Sequence, residues 1–290
     1  MAAIEAAGGT AAYAVADVGL PEEVAAAADA ALARFGRIDT WVNNAGTAIY
    51  ARLVDTPLDE HQRMVRTNYF GCVNGCMAAV ARMRDTGGAI ITVGSIASDI
   101  PSPILGAYAA TKHAAKGYVD ALRMELTADA VPLSITLIKP SGIDTPIAQH
   151  AANHVEGEAM IPPPVYDPSL VADAILDAAG HVRREVTVGG VGRAQVMFGL
   201  HFPGVLDRMA GLLIPALMNR KKPRTEENSV LAPRQRGQER SGVQPGRKFS
   251  VYTSAERHKL AIVVGLAAVG GVGFLALRSG RPQAKGRRSR

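Results

Sequence analysis

Residues 89–95 read Ala89-Ile90-Ile91-Thr92-Val93-Gly94-Ser95. Five uncharged residues, four of them β-branched, run into a glycine. A strand that is apolar throughout is covered on both faces, as in a parallel sheet. The pattern repeats outward from this stretch. Upstream, a helix is expected over roughly Leu58–Arg84, with Gly87-Gly88 as its stop; before it, Ile38–Val42 reads as a short buried strand ending in Asn43-Asn44-Ala45-Gly46. Pro21 opens an Ala-rich helix to Phe35, with Glu22 and Glu23 in its first turn and Gly36 after its end, as helix termini prefer. Ala11–Val18 reads as a further strand. Downstream come a helix over about Ala107–Asp129, a strand Leu133–Ile138 running to Pro140-Ser141-Gly142, a helix Ser169–Ala179 and a strand Glu185–Val188. Apolar strands alternating with helices predict an α/β fold with a doubly wound parallel sheet. Ligands bind such sheets beyond the carboxyl ends of the strands. The polar and Gly-containing segments at Asp17, Asn43–Gly46, Ser95 and Pro140–Thr145 fall at those ends.

Composition bounds the function classes. Two cysteines in 290 residues exclude a disulfide scaffold and suggest a reducing compartment. The net charge of +6 conceals an asymmetry: residues 1–218 carry 15 basic and 22 acidic side chains, residues 219–290 carry 17 and 4. A basic nucleic-acid-binding domain is therefore a poor reading, and no nucleic-acid partner is expected. The seven histidines show no metal-ligand spacing, and no metal is assigned. Cys72 and Cys76, four apart on a helix, read as buried small residues, and Trp41 as core packing.

The last third differs in texture. Val196–Met218 is apolar and interrupted by Pro203 and Pro215; it suits a membrane surface, a subunit interface or packing on the sheet's helices. Asn219–His258 is polar, basic and Pro-containing, and reads as a linker. Leu260–Leu277 is 18 residues without a charge, about 27 Å as a helix at ~1.5 Å per residue, at the short end for a membrane span. A basic tail follows.

Tyr108 and Lys112, spaced i, i+4, share one helix face. An ammonium beside a phenol favours the phenolate and suits the hydroxyl to proton transfer with an alcohol or carbonyl oxygen. By itself this pair is weak, because such spacing is common. It gains force from Ser95, 13 residues earlier at a strand end, from Asn43-Asn44-Ala45-Gly46, from Asn68 in the intervening helix, and from Pro140–Thr145. In order and spacing, over about Ala11 to Gly190, these motifs resemble the short-chain dehydrogenase/reductase family.

The resemblance implies roles. Tyr108 is the general acid/base, Lys112 its pKa-lowering partner and a ligand of the nicotinamide ribose, Ser95 the anchor of the substrate oxygen, and Asn68 the holder of a relay water. Asp17 and Val18 border adenine; Asn44, Ala45 and Gly46 line the cofactor; Pro140, Ile143 and Thr145 belong to the nicotinamide side. The implied cofactor is NAD or NADP, NADP slightly preferred, with hydride transfer at nicotinamide C4. The implied substrate is a small carbonyl/alcohol pair, and a lipophilic one would suit a membrane tether. A homo-oligomer and a cytoplasmic catalytic domain anchored by the C-terminus are expected.

Two departures from the family pattern stand out. Ser141 replaces the glycine that follows Pro140, with Gly142 one place later. The Gly-rich Thr-Gly-x-x-x-Gly-x-Gly turn, which brings backbone N–H groups to a pyrophosphate, is not in the sequence. The expectation is thus a Rossmann-like sheet lacking its first strand–helix–strand unit, with a C-terminal helical extension. A start codon assigned too far downstream is favoured over a fragment or a true loss. If the loss is real, the alternative is a non-catalytic binding or scaffold protein on the same fold. The expected divisions are a dehydrogenase domain at 1–192, an apolar helical segment at 193–218, a linker at 219–258, a membrane helix at 259–278 and a tail at 279–290.

Overall fold

The computed structural model describes residues 1–232 and 237–257. The 260–277 segment lies outside the described residues; among those described, no helix is long and apolar enough to cross a membrane.

The sheet has four parallel strands in sequence order, β1 (Thr40–Asn43), β2 (Gly88–Val93), β3 (Leu133–Pro140) and β4 (Glu185–Val188). Register pairs Val42 with Ile91, Ile91 with Thr136, and Ile138 with Val186. Successive side chains point to opposite faces, so Ile90 and Leu137 enter one core and Ile91 and Ile138 the other. The first core takes Cys72, Cys76, Ala79 and Met83 from α3 (Gly71–Met83), and Ala115, Val119 and Leu126 from α4 (Gly106–Ala128). The second takes Leu170, Ala174 and Ala178 from α5 (Ser169–Gly180). Helices on both faces confirm the doubly wound reading. Cys72 and Cys76 are buried, unpaired thiols.

α1 (Pro21–Phe35) ends as expected, with Gly36 in the left-handed region at φ 82°. The segment read as one helix over Leu58–Arg84 is α2 (Leu58–Val65) joined to α3 by a π-helical stretch, Arg66–Phe70. A wider turn inserts about one residue into the helical repeat, and such stretches gather at functional sites. Asn68 sits in its middle.

The expected strand Ala11–Val18 is a correction: these residues form no ladder. A strand exists only through its paired backbone, and β1, at the sheet edge, is hydrogen-bonded to β2 alone among the described strands. Tyr13 and Val15, which a sheet would cover, are 80% and 92% exposed.

Val196–Met218 becomes two helices, α6 (Gly190–His201) and α7 (Pro203–Leu213), and a 3-10 turn Ile214–Leu217. The stretch read as a linker does not hang free. Met218–Asn219 pairs antiparallel with Glu158–Ala159, Val230 is buried, and α8 (Val251–Arg257) packs on β4, α5 and α6. Its prolines and charges conceal a few well-placed apolar and hydroxyl groups that find partners on the body.

Candidate active site

Of the residues singled out from sequence, Asn44, Ala45, Asn68 and Lys112 meet beside the carboxyl ends of β1 and β2, with Val18 on the same wall. At the end of β2 the Val93 carbonyl accepts a hydrogen bond from Lys112 Nζ at 3.0 Å. Lys112 is 7% exposed. An ammonium has three donors, and among the described residues this one has a single acceptor. Nζ lies 5.6 Å from the centre of the Tyr108 ring, so the i, i+4 spacing does put the two on one face.

Asn68 connects this helix to the Asn44–Thr47 loop. Its Oδ1 accepts from Thr47 N at 2.8 Å, while Nδ2 donates to Thr47 O at 2.9 Å and to Thr111 Oγ1 at 3.1 Å. Thr111 Oγ1 in turn donates to the Tyr108 carbonyl at 2.7 Å. Asn68 is 3% exposed, both its amide hydrogens are used and Oδ1 keeps one acceptor position, so it fixes the loop as one more backbone pair would. A Cβ on Gly46 would lie 3.4 Å from Asn68 Oδ1 and 3.7 Å from Lys112 Nζ. The loop therefore passes within one carbon's contact of both polar heads.

Ser95 caps a 3-10 turn, Ile96–Ser98, that packs on α4. Its Oγ accepts from Ala97 N at 3.1 Å, and the buried Ser98 Oγ accepts from Ser95 N at 3.3 Å, a reciprocal capping box that fixes the side chain's place. Two tyrosines share the apolar cluster here. Tyr50 is committed: burial first, then the neighbouring Tyr108, pushes its pKa well above the ordinary phenol range, and its hydroxyl donates to Met160 O at 3.2 Å. The cluster holds Tyr108 among Ile104, Leu105, Ile147, Leu217 and Met218, and Val230 packs near it as well.

A cavity of ≈ 90 Å³ is lined by Asn44, Ala45, Asn68, Thr92, Val93 and Lys112, with Val18 also on its wall. A larger open groove of ≈ 690 Å³ runs past Pro21, His61, Arg66 and Phe70 and touches none of Ser95, Tyr108 and Lys112; size alone does not mark the site. Asp17 sits in the turn before α1, where its Oδ1 accepts from Gly19 N at 2.9 Å. Asn74 Nδ2 donates to Val18 O at 2.9 Å.

Pro140 ends β3, and Ile143 and Thr145 follow in a tight turn in which Thr145 N donates to Ile143 O at 2.7 Å. The departure at Ser141 is absorbed locally. Its Oγ donates to Val188 O at 2.9 Å, in space left by Gly189, where a Cβ would lie 2.0 Å from that oxygen. Ile100 lies against Gly199 of α6, where a Cβ would meet its Cγ2 at 2.7 Å. His154 Nε2 is 2.7 Å from Glu60 Oε2. Sequence reasoning missed Thr47 and Thr111. Thr111 stands between Tyr108 and Lys112 on the same helical surface, which is the signal that could have found it.

This arrangement belongs to a recognised family. The short chain dehydrogenase family model matches residues 1–156. An uncharacterised oxidoreductase YxnA of Bacillus subtilis is 37% identical over 262 residues, covering 87% of this chain and 74% of that protein. The probable oxidoreductase EphD of Mycobacterium tuberculosis is 38% identical over 192 residues, covering 61% of this chain but only 32% of its own length. A short-chain dehydrogenase from Burkholderia cenocepacia, solved in complex with NADP, superposes with a TM-score of 0.57 at 25% identity, covering 67% of this chain and 76% of that one. The chain belongs to the short-chain dehydrogenase family of oxidoreductases.

Proposed function

We propose that the protein interconverts a carbonyl compound and an alcohol with NAD(P)(H), using Tyr108 as general acid/base. The observation that carries this reading is the buried Lys112 ammonium, with one acceptor among the described residues for three donors, beside both the Tyr108 ring and the Asn44–Gly46 loop.

The residues present fit the nicotinamide-ribose end of a dinucleotide. Lys112 has donors to spare for ribose hydroxyls, the cavity opens between it and Asn44-Ala45, and Gly46 lacks the side chain that would narrow the approach. Val18 and Asp17 would lie toward adenine, and Ile143 and Thr145 toward nicotinamide. The Gly-rich pyrophosphate turn is not among the 290 residues. When bound, the dinucleotide supplies or accepts hydride at nicotinamide C4. The chain's own part is to orient and to move a proton. Ser95 holds the substrate oxygen, Tyr108 gives it a proton in reduction and takes one in oxidation, and Lys112 stabilises the phenolate left behind. Asn68 holds the loop and a relay water in register.

The apolar surroundings of Tyr108, with Ile104, Leu105, Ile147, Leu217 and Met218, favour a lipophilic substrate. The NADP in the Burkholderia relative favours NADP here. We read 260–277 as a membrane anchor of a cytoplasmic domain that forms homo-oligomers.

The test is NADPH consumption by the purified full chain with a panel of long-chain and aromatic aldehydes and ketones, alongside NADPH binding by fluorescence. Turnover of at least one hydrophobic carbonyl supports the reading. The absence of both turnover and dinucleotide binding overturns it in favour of a non-catalytic scaffold.

A further inference from the structure

The carboxylate of Asp144 lies in the Ser141–Thr145 loop and is 3% exposed. Among the described residues it has no cation beside it. Its two hydrogen-bond donors both come from Ser241, almost a hundred positions later: the backbone N–H at 3.0 Å, and the Oγ–H in a short contact. The same stretch of chain grips the next layer too. Arg240 bridges to the buried carboxylate of Asp167, with Nη2 3.2 Å from Oδ2, and Asp167 N donates to Arg247 O at 3.0 Å. Tyr166 N donates to Gly142 O, and Asp144 N to Tyr166 O, both at 2.8 Å. Gly246 presses so closely on this layer that a Cβ would meet Asp167 N at 2.6 Å. Beyond it, Thr253 Oγ1 accepts from Gly189 N at 3.0 Å and ties α8 to the end of β4.

We infer that residues 240–247 form a clasp, beyond residues 1–156 that match the family model, and that Ser241 is a positioning residue holding the Ser141–Thr145 loop through Asp144. This deepens the functional reading and rests on it, because that reading places Ile143 and Thr145 against nicotinamide. The physical reason is that a buried carboxylate must be hydrogen-bonded. The position of Ser241 therefore dictates the position of Asp144, and the two neighbours of Asp144 follow. The backbone of the loop is held by Tyr166 and Val188, and the Asp144 carboxylate at its centre is held by Ser241 from the C-terminal third of the chain.

The test compares the full chain with Ser241→Ala and Ser241→Thr. Three readouts are taken: hydrogen exchange at the 143–145 amides without dinucleotide, the NADPH dissociation constant, and steady-state kinetics. A hydrogen bond to a charged group contributes enough for about a tenfold change. Ser241→Ala is expected to speed exchange at 143–145 and to weaken NADPH binding and raise its KM by about tenfold, with kcat within about threefold. Ser241→Thr, which keeps the hydroxyl, is expected to restore all three. Wild-type exchange and wild-type affinity in Ser241→Ala would overturn the inference, as would a threonine variant as impaired as the alanine one. If Ser241→Ala does not fold, Arg240→Gln decides: the Arg240 side chain is half exposed and glutamine keeps a donor for the Asp167 carboxylate, so faster exchange at 143–145 supports the clasp and unchanged exchange overturns it. If the wild type turns over no carbonyl, the functional reading fails while the exchange experiment still judges the clasp.

Discussion

Lys139 is the place where one substitution should reach furthest. It immediately precedes Pro140 on β3, and its side chain is 3% exposed. Nζ is 2.7 Å from Asp99 Oδ2 and 2.5 Å from Glu185 Oε2; Lys116 closes the ring from α4, 2.5 Å from Asp99 Oδ1 and 3.3 Å from Glu185 Oε1. Two cations and two carboxylates thus join the loop after Ser95, the helix of Tyr108, and strands β3 and β4. Lys139→Met keeps the length and apolar stem but leaves two carboxylates with one ammonium. Breaking a buried pair by removing one partner costs about 3–5 kcal/mol. At about 2–4 °C per kcal/mol for a chain of this size, Tm should fall by roughly 6–20 °C.

The pH dependence has a definite sign. Burial pushes Asp99 up, but hydrogen bonds from Lys116 and Lys139 outweigh it and hold its pKa below the ordinary aspartate value of 3.8. A depressed carboxyl stabilises the fold above its unfolded pKa, and that contribution is lost as pH falls through the folded value. Lys116 is the mirror case. Burial alone would lower its pKa, but Asp99 and Glu185 raise it above 10.5, so its contribution is complete below that pH and lost as pH rises through the folded value. The contributions of Asp99 and Lys116 should therefore both be constant from about pH 5 to about pH 9. Lys139→Met should begin to unfold at a higher pH on the acid side. The assay is urea denaturation followed by circular dichroism across pH, with Asp99→Asn and the double variant completing a cycle. A single-variant loss under about 1 kcal/mol, or strict additivity in the cycle, would refute the reasoning.

Other predictions are more local. Asn68→Ala strands the N–H and C=O of Thr47, which should cost about 2–4 kcal/mol by urea titration and abolish most turnover by releasing the Asn44–Thr47 loop. Gly75→Ala puts a Cβ 1.9 Å from Asn43 Oδ1 and 2.9 Å from Trp41 Nε1. It should break the Trp41–Asn43 bond, lower stability by about 1–3 kcal/mol, and shift the emission of the single tryptophan.

What the sequence made legible follows from how local the physics is. β2, β3 and β4 were readable because burial on both faces demands an apolar run, and α1 because Pro21 and Gly36 mark its ends. Ala11–Val18 was misread because its composition reports β-propensity, whereas strand formation depends on a neighbour. The π stretch at Arg66–Phe70 has no compositional mark, yet it sits around Asn68. Ser95, Tyr108 and Lys112 stood out by their spacing, and the structure puts Tyr108 and Lys112 on one helix face. Thr47 acts through its backbone, which a motif of side chains does not show. Ser241 and Val230 lay in a stretch whose prolines and charges suggested a linker, and only the folded chain shows them against Asp144 and near Tyr108.

The most direct measurement of the central claim is single-turnover NADPH oxidation by Tyr108→Phe, with the wild type's best carbonyl substrate and with NADPH binding measured in parallel. The substitution removes the phenolic hydroxyl and leaves the ring under Lys112. The account predicts a loss of about 10²–10⁴-fold in the hydride-transfer rate, with NADPH affinity within about twofold of the wild type. Equal rates in the two proteins would contradict it.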